Sequence, residues 1–387
     1  MSVGPTSTVG KGLEGVELCQ TRIAEVDGRA GRLTIQGYDI RELAGKVTFE
    51  EEAYLLWHGK LPNRTEYDEL KSEMGLARTL PPATIAILKE VSEHSSGMHA
   101  LRMAAATLSD GDWDADNLEM SGSRRRAARL LARMPLLVGT FWRLRTGQPL
   151  VEAPHNAGVA ESFLYMLTGE TPAPEQVKAL DAYLVAVSEH GMNASTFTGR
   201  VIISTDADMI SALTGAVGAL KGPKHGGVPG PVLDMMEQIG TPENADSWIR
   251  GHLAAGKKIM GFGHRIYKVR DPRAEVLSDA SFALIQAGSG NRNLFDLVHA
   301  VEDTTVRVLA EVKPGRDLYA NVELYAALIL HSIGIPSEVF TPVFAIGRTA
   351  GWTAHMIEQL EDNRLIRPSS VYVGPRDLKW CPVEERK

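Results

Sequence analysis

Cysteine is nearly absent from this chain of 387 residues, which has only Cys19 and Cys381, near its opposite ends. By their spacing, these two cysteines indicate neither a disulfide framework nor a metal site. Scarce cysteine is typical of a protein kept in a reducing compartment, so we expect a cytoplasmic protein. The first residues contain no charged segment that leads into an apolar run, and we therefore predict no signal peptide.

Long apolar stretches are also lacking, since none reaches the roughly 18 residues that indicate a membrane-spanning helix. The best candidate, residues 134–142, is shorter, contains Pro135 and is flanked by Arg133 and Arg143. This pattern predicts a buried helix of the protein core and not a membrane span.

Basic residues are not in excess, because 41 lysines and arginines stand against 48 aspartates and glutamates, which gives a net charge of −7. Without a global positive field, neither nucleic acid nor an anionic membrane is an expected partner. A local cluster of arginines would have to hold any anionic substrate.

The common motifs of cofactor and metal enzymes are missing as well. The chain has no Gly-x-x-x-x-Gly-Lys-Ser/Thr loop for nucleotide phosphates, and no Gly-x-Gly-x-x-Gly follows a strand. It has neither a His-Glu-x-x-His motif nor paired Cys-x-x-Cys motifs for zinc, and no Gly-x-Ser-x-Gly elbow of a serine hydrolase. We therefore expect no metal and no cofactor.

The segments that are present predict a short β-hairpin followed by helices. Strands are expected at 23–26 and 32–35, around a turn rich in glycine. A capping box at Thr48–Glu51 begins a helix that Gly59 ends, and Pro174 begins another. Apolar residues predict further helices at 206–220, 321–332 and 341–358.

Two histidines in glycine-rich turns and one later acid are the strongest chemical signal. They lie in Gly222-Pro-Lys-His225-Gly-Gly227, Gly261-Phe-Gly-His264-Arg265 and Asn321-Val-Glu323. Glycine next to a histidine lets the backbone approach a ligand closely. Two histidines and a carboxylate suffice to remove a proton from carbon and deliver one to oxygen.

Each of these signals also has a purely structural interpretation. A histidine flanked by glycine is often only a turn residue, and His190 could simply complement a helix C-terminus. Arg273 follows Asp271-Pro272 and could form a loop salt bridge. Arg348 lies in an apolar helix and needs an anionic partner, which could be a substrate carboxylate or a protein carboxylate.

Several long motifs, in order along nearly the whole chain, show that it resembles a citrate synthase of the shorter kind found in bacteria and archaea. The matching motifs are residues 12–16, 37–40, 189–197, 222–227, 260–265, 271–273, 344–352 and 366–368. The resemblance implies an all-α, two-domain homodimer with a small N-terminal β-hairpin. The turn-rich segments 221–231 and 313–319 are candidate hinges. We expect a large domain at 1–220 and 326–387 and a small domain at 221–325, which closes over substrate.

The resemblance also implies a reaction, the condensation of acetyl-CoA with oxaloacetate followed by thioester hydrolysis. His225 would donate a hydrogen bond to the thioester carbonyl, and Glu323 would take the methyl proton. His264 would polarise the ketone of oxaloacetate and protonate the new alkoxide. His190, Arg273 and Arg348 would hold the oxaloacetate carboxylates, and Arg367 would reach in from the partner subunit.

The second histidine motif lies near a group of basic residues, which either meet the phosphates of CoA or form a solvated loop. The candidates are Lys257, Lys258, Arg265, Lys268 and Arg270. Acetyl-CoA is then a co-substrate, and no further cofactor is implied.

Three segments depart from the usual pattern of the family. Glu323 stands where aspartate is usual, residues 228–230 replace Ala-Asn-Glu, and residues 96–99 replace His-Pro-Met-Asp. One added methylene on the base matters, because a misplacement of about 1 Å can cost on the order of a hundredfold in rate. Two alternatives to citrate synthase stay open: a 2-methylcitrate synthase that takes propionyl-CoA, and a catalytically weak paralogue with a binding or regulatory role.

Overall fold

The computed structural model describes residues 11–110, 112, 114, 116–226, 229–315 and 318–386. Residues 316–317 of the candidate hinge 313–319 lie outside the described residues, as do two further sequence features. One is the segment 1–10, on which the prediction of no signal peptide rests. The other is the pair 227–228, which ends the first histidine motif and begins the altered loop.

The predicted hairpin is confirmed as part of a small antiparallel sheet, with β1 at Ala24–Asp27, β2 at Arg32–Ile35 and a short β3 at Tyr38–Asp39 that the sequence analysis missed. The turn between β1 and β2 packs against the loop that carries His264. A Cβ atom on Gly28 would lie 2.3 Å from the carbonyl oxygen of Ile266, and the amide of Lys268 donates to the Gly28 carbonyl at 2.9 Å. Only glycine allows this close approach.

Beyond this sheet, the regular structure of the described chain is almost entirely helical, which confirms the predicted all-α class. Its α-helices are α1 Ile40–Leu43, α2 Phe49–His58, α3 Arg64–Leu76, α4 Pro82–Val91, α5 Gly97–Ala106, α6 Met120–Arg145, α7 Val159–Thr168, α8 Pro174–Ser188, α9 Ala194–Ile203, α10 Met209–Leu220, α11 Gly230–Ile239, α12 Ala245–Ala254, α13 Pro272–Gln286, α14 Arg292–Val312, α15 Val322–Ser332 and α16 Phe340–Glu361.

The helix ends follow the sequence signals. Thr48 and Glu51 form the predicted capping box, in which the Glu51 amide donates to Thr48 Oγ1 and the Thr48 amide donates to Glu51 Oε2. Gly59 ends α2 in the left-handed conformation, with φ of 75°. Pro174 occupies the first turn of α8, where a missing amide hydrogen costs nothing.

The core is arranged around α16, which packs against α2, α5, α6, α8, α9 and α10. Residues 134–142 form part of α6 and are almost entirely buried, as predicted for a core helix. Among the described residues, no helix combines the length and apolar character needed to cross a membrane.

A second group of helices, α11 to α15, meets the core at α8. Within it, α12 packs on α14 and α13 packs on α15, while both α13 and α15 also contact α8. The ends of α8, α13 and α15 therefore lie close together, and all three carry candidate site residues.

Candidate active site

The predicted site residues lie at the ends of helices or in the turns beside them, except for Arg348, which lies within α16. His190 follows α8, and His225 follows α10. His264 lies between α12 and α13, Arg273 begins α13, and Glu323 begins α15. The rings of His190 and His264 are 5.2 Å apart at their centroids, so two loops that are distant in sequence meet here.

The hydrogen bonds of His264 fix its tautomer. The amides of Ile266 and Tyr267 both donate to Nδ1, each at 3.1 Å. Because a nitrogen that accepts cannot carry the proton, the neutral ring has its hydrogen on Nε2. Burial, helped by the charge of Arg273, lowers the pKa of His264 to about 4, so the ring is a neutral donor near pH 7.

The hydrogen bonds of His225 fix the opposite tautomer. The amide of Ser195 donates to its Nε2 at 3.2 Å, and the hydroxyl of Ser195 lies 2.7 Å from the same nitrogen. The proton is therefore on Nδ1. Burial, with the charge of Arg348, lowers the pKa of His225 to about 4, and this ring too is a neutral donor. Trp352 Nε1 donates to the Ser195 hydroxyl at 2.9 Å and holds it in place.

Glycines shape both histidine turns, as the sequence predicted. Gly261 and Gly263 have φ of 77° and 86°, which other residues rarely adopt. A Cβ atom on Gly226 would lie 2.2 Å from the carbonyl oxygen of Leu220. Both histidines thus lie in turns that require glycine.

His190 is buried, and its Nε2 lies 3.2 Å from the hydroxyl of Tyr267. Burial, with the charges of Arg273 and Arg348, holds the pKa of His190 well below its usual value. His190 is therefore a neutral hydrogen-bonding group and not a cation.

Arg273 and Arg348 are the buried arginines among the predicted site residues, and their surroundings bear on the alternatives left open above. Arg273 forms a bidentate pair with Asp271, with distances of 3.0 Å and 2.7 Å, so the loop salt bridge exists. Arg348 is also buried, but its Nε donates to the carbonyl oxygen of Val187 at 2.7 Å, and among the described residues no carboxylate lies within 4.0 Å of it. Burial lowers the pKa of Arg348 to about 10. Its terminal nitrogens are free for an anion.

Glu323 lies at the start of α15, in a segment joined to the His264 loop. Asn321 caps this helix, with its Oδ1 accepting from the Glu323 amide at 2.9 Å, and its Nδ2 donates to the Gly263 carbonyl at 3.0 Å. The Glu323 side chain is largely buried, and burial raises its pKa, against the opposing charge of Arg273. Its carboxylate makes no hydrogen bond to any described residue, which leaves it available as a base.

A buried ionic network under His190 was missed by the sequence analysis. Glu189 is fully buried, and its carboxylate lies 3.2 Å from His355 Nε2. Arg200 donates to His355 Nδ1 at 2.9 Å, so the proton of this ring faces Glu189. The network holds the turn after α8 in place. The contact of Arg200 with His355 joins residues 155 positions apart, and Glu189 is more distant still from His355, so no local pattern indicates these contacts.

The remaining candidates lie further from these groups. Lys257, Lys258, Arg265 and Lys268 are exposed, whereas both carboxylate oxygens of Glu302 hold Arg270, at 2.6 Å and 3.0 Å. Arg367 is exposed on the segment after α16, next to Ile366, whose amide donates to Ser204 Oγ at 3.1 Å. No group of metal-binding side chains occurs among the residues that the structure describes.

Comparisons with known proteins agree on one family. A family model described as the C-terminal domain of citrate synthase matches residues 12–369. Citrate synthase 2 of Bacillus subtilis is 42% identical over 98% of this chain and 100% of its own length. A 2-methylcitrate synthase of Mycobacterium tuberculosis is 36% identical over 94% of this chain and 90% of its own. The structure of a Thermoplasma acidophilum citrate synthase in ternary complex with carboxymethyl coenzyme A and oxaloacetate has a TM-score of 0.87 and 30% identity, and covers 97% of this chain and 99% of that one.

Proposed function

The chain belongs to the citrate synthase family, so it is an acyltransferase, and we propose that His225, His264 and Glu323 carry out its chemistry. Family membership confirms the predicted function, which is condensation of acetyl-CoA with oxaloacetate and hydrolysis of citryl-CoA to citrate and CoA. This reaction is the first step of the tricarboxylic acid cycle. The roles are assigned from the two neutral histidines. In each ring a backbone amide donates to one nitrogen, so the proton is on the other.

The first step is removal of a methyl proton from acetyl-CoA. The free carboxylate of Glu323 takes this proton, and the thioester becomes an enolate whose oxygen accepts a hydrogen bond from His225. Because the methyl group is a very weak acid, the developing charge on oxygen needs a placed donor, which is Nδ1 of His225. A neutral histidine suits this role because it donates a hydrogen bond and leaves no ion pair to break.

The second step forms the carbon–carbon bond. The enolate carbon attacks the ketone of oxaloacetate while Nε2 of His264 donates to the ketone oxygen and then gives its proton to the alkoxide. The proton that Glu323 took up replaces the one that His264 gives away. Water hydrolyses the resulting citryl thioester and releases CoA. Oxaloacetate is a dianion, and Arg273, Arg348 and His190 surround the place where its carboxylates bind.

We propose that residues 221–325 form the small domain and close over the substrate against 1–220 and 326–387. The two parts meet where α13 and α15 contact α8. These contacts lie at the site, as expected of a domain that closes over substrate. The boundary at residue 325 falls inside α15, which spans Val322–Ser332, so this helix joins the two parts. Closure would exclude water from the enolate until the new bond forms.

The phosphates of CoA require cations outside the buried pocket. Lys257, Lys258, Arg265 and Lys268 are exposed and suit this role. Arg270 is less suited, because Glu302 neutralises it and its guanidinium lies over the ring of Tyr325, 5.3 Å from the centroid. We also propose a cytoplasmic location, supported by two cysteines that are both free thiols.

We propose a homodimer in which Arg367 enters the site of the partner subunit. The exposed side chains of Val373 and Trp380, on the same C-terminal segment, support a contact with another subunit. The variant Arg367→Met should bind oxaloacetate about tenfold to a hundredfold more weakly, since a charge-assisted bond is lost.

Mixing this variant with Glu323→Gln tests which subunit supplies Arg367 to each site. Each mixed dimer should contain one complete site, so about one quarter of all sites should regain activity after joint refolding. The assay is run at an oxaloacetate concentration well below the raised KM of Arg367→Met. If the mixture is then no more active than the average of its two parents, Arg367 does not serve the partner.

The choice of acyl group is the remaining alternative, and the 2-methylcitrate synthase relative keeps it open. Purified protein would be given oxaloacetate with acetyl-CoA or propionyl-CoA, and thiol release would be followed. We expect faster release with acetyl-CoA, by roughly tenfold to two-hundredfold, the discrimination that one methylene allows. Faster release with propionyl-CoA would establish the alternative, and no release with either would indicate a binding or regulatory paralogue.

A further inference from the structure

The hydroxyl of Tyr183 is a buried polar group without an evident structural purpose. Tyr183 lies on α8 and is fully buried. Its hydroxyl has no hydrogen-bond partner among the described residues. An unpaired buried hydroxyl is costly, and most such groups in folded proteins find a partner, so its presence needs an explanation.

The position of Tyr183 on α8 points to the active site. It lies one helical turn before Val187, whose carbonyl oxygen accepts from Arg348 Nε at 2.7 Å, so the two residues share a face. Among the helices that pack on α8 are α13, α15 and α16, and they carry Arg273, Glu323 and Arg348.

Helices α8 and α16 approach each other especially closely near Val187. A Cβ atom on Gly347 would lie 2.7 Å from Val187 Cγ2 and 3.1 Å from the carbonyl oxygen of Leu184. The charges that act on the Tyr183 hydroxyl are those of Arg348, Glu323 and Arg273, while burial raises its pKa. The hydroxyl is therefore a neutral donor among the charged groups of the site.

We infer that the Tyr183 hydroxyl donates a hydrogen bond to the oxaloacetate carboxylate that Arg348 holds, and so helps to select a dicarboxylate substrate. This inference rests on the proposed function. It accounts for a buried hydroxyl that has no partner among the described residues, and for terminal nitrogens of Arg348 that bond to none of them. Loss of a hydrogen bond to a charged group should weaken binding by about tenfold to a hundredfold.

The variant Tyr183→Phe tests the inference, because phenylalanine keeps the ring and removes only the hydroxyl. Binding of oxaloacetate would be measured by calorimetry without CoA, together with KM, kcat and the thermal midpoint. We expect a Kd and a KM for oxaloacetate raised by tenfold or more, a kcat changed much less, and a thermal midpoint equal to or above that of the wild type. Tyr54→Phe, on α2, is the matched control and should bind as the wild type does.

Two outcomes would overturn the inference in different ways. If the wild type binds oxaloacetate and Tyr183→Phe binds it equally well, the hydroxyl is only a buried group and the inference fails alone. If the wild type does not bind oxaloacetate, the proposed function fails and the inference fails with it. A phenylalanine variant that is more stable but binds weakly would separate a role in binding from a role in folding.

Discussion

Replacing Glu323 by glutamine is expected to lower kcat by about a thousandfold, with little change in the binding of oxaloacetate. Glutamine keeps the shape of the side chain but cannot accept the methyl proton, and a positioned general base contributes about 10²–10⁴ in rate. The test is thiol release with acetyl-CoA and oxaloacetate, beside calorimetric binding of oxaloacetate alone. A variant with a near-normal rate would show that another group is the base.

The pH dependence of kcat/KM provides a second test of the same residue. Burial raises the pKa of Glu323, and the carboxylate is active only when it is ionised. Activity should therefore fall as the pH drops through this raised pKa, above the range of an ordinary carboxylate. His225 and His264 also titrate in acid, with pKa values of about 4. In Glu323→Gln the fall of kcat/KM at the higher pH should therefore disappear, while the fall near pH 4 remains.

The length of the base can be examined with Glu323→Asp. Asn321 fixes the start of α15 through the Glu323 amide and the Gly263 carbonyl, so the backbone position is set independently of the side chain. If this position has adapted to glutamate, the shorter aspartate should be slower by on the order of a hundredfold, since about 1 Å of misplacement has that cost. A faster aspartate variant would argue against adaptation.

The features that the sequence predicted are those that depend on neighbours in the chain. Helix α2 begins at a capping box and ends at Gly59, and α8 begins at Pro174, because these signals act over a single turn. The glycines around His225 and His264 likewise act on their own turns. The resemblance to a family then joined these local signals into one proposed site.

The features that could not be predicted depend on contacts between distant segments. The tautomer of His225 depends on the amide of Ser195, thirty residues earlier, and any residue other than proline has such an amide. The partner proposed for Arg348 depends on the observation that, among the described residues, no carboxylate lies within 4.0 Å of it. The contact between Glu189 and His355 joins α8 to α16 across the core, and nothing in either segment indicates the other.

Replacing His225 by glutamine is expected to lower kcat by about 10²–10³, the usual effect of losing one donor to a developing oxyanion. The KM for oxaloacetate should change little, because His225 is assigned to the thioester. The matched control is Ser195→Ala, which removes the hydroxyl but keeps the backbone amide that donates to Nε2. Since that amide alone suffices to keep the proton on Nδ1, Ser195→Ala should lose much less activity, about tenfold or under.

The same assignment predicts how the wild type responds to pH near neutrality. Because burial lowers the pKa of His225 to about 4, kcat/KM should show no inflection near 6.5, where an exposed histidine titrates. An inflection there that disappears in His225→Gln would mean that the ring is charged in part of the working range. A loss in Ser195→Ala as large as that in His225→Gln would mean that the hydroxyl, and not the amide, sets the tautomer. The first result would require a different donor for the enolate oxygen, because the proposed step depends on a neutral ring with its proton on Nδ1. The second would change only the group that keeps the proton there.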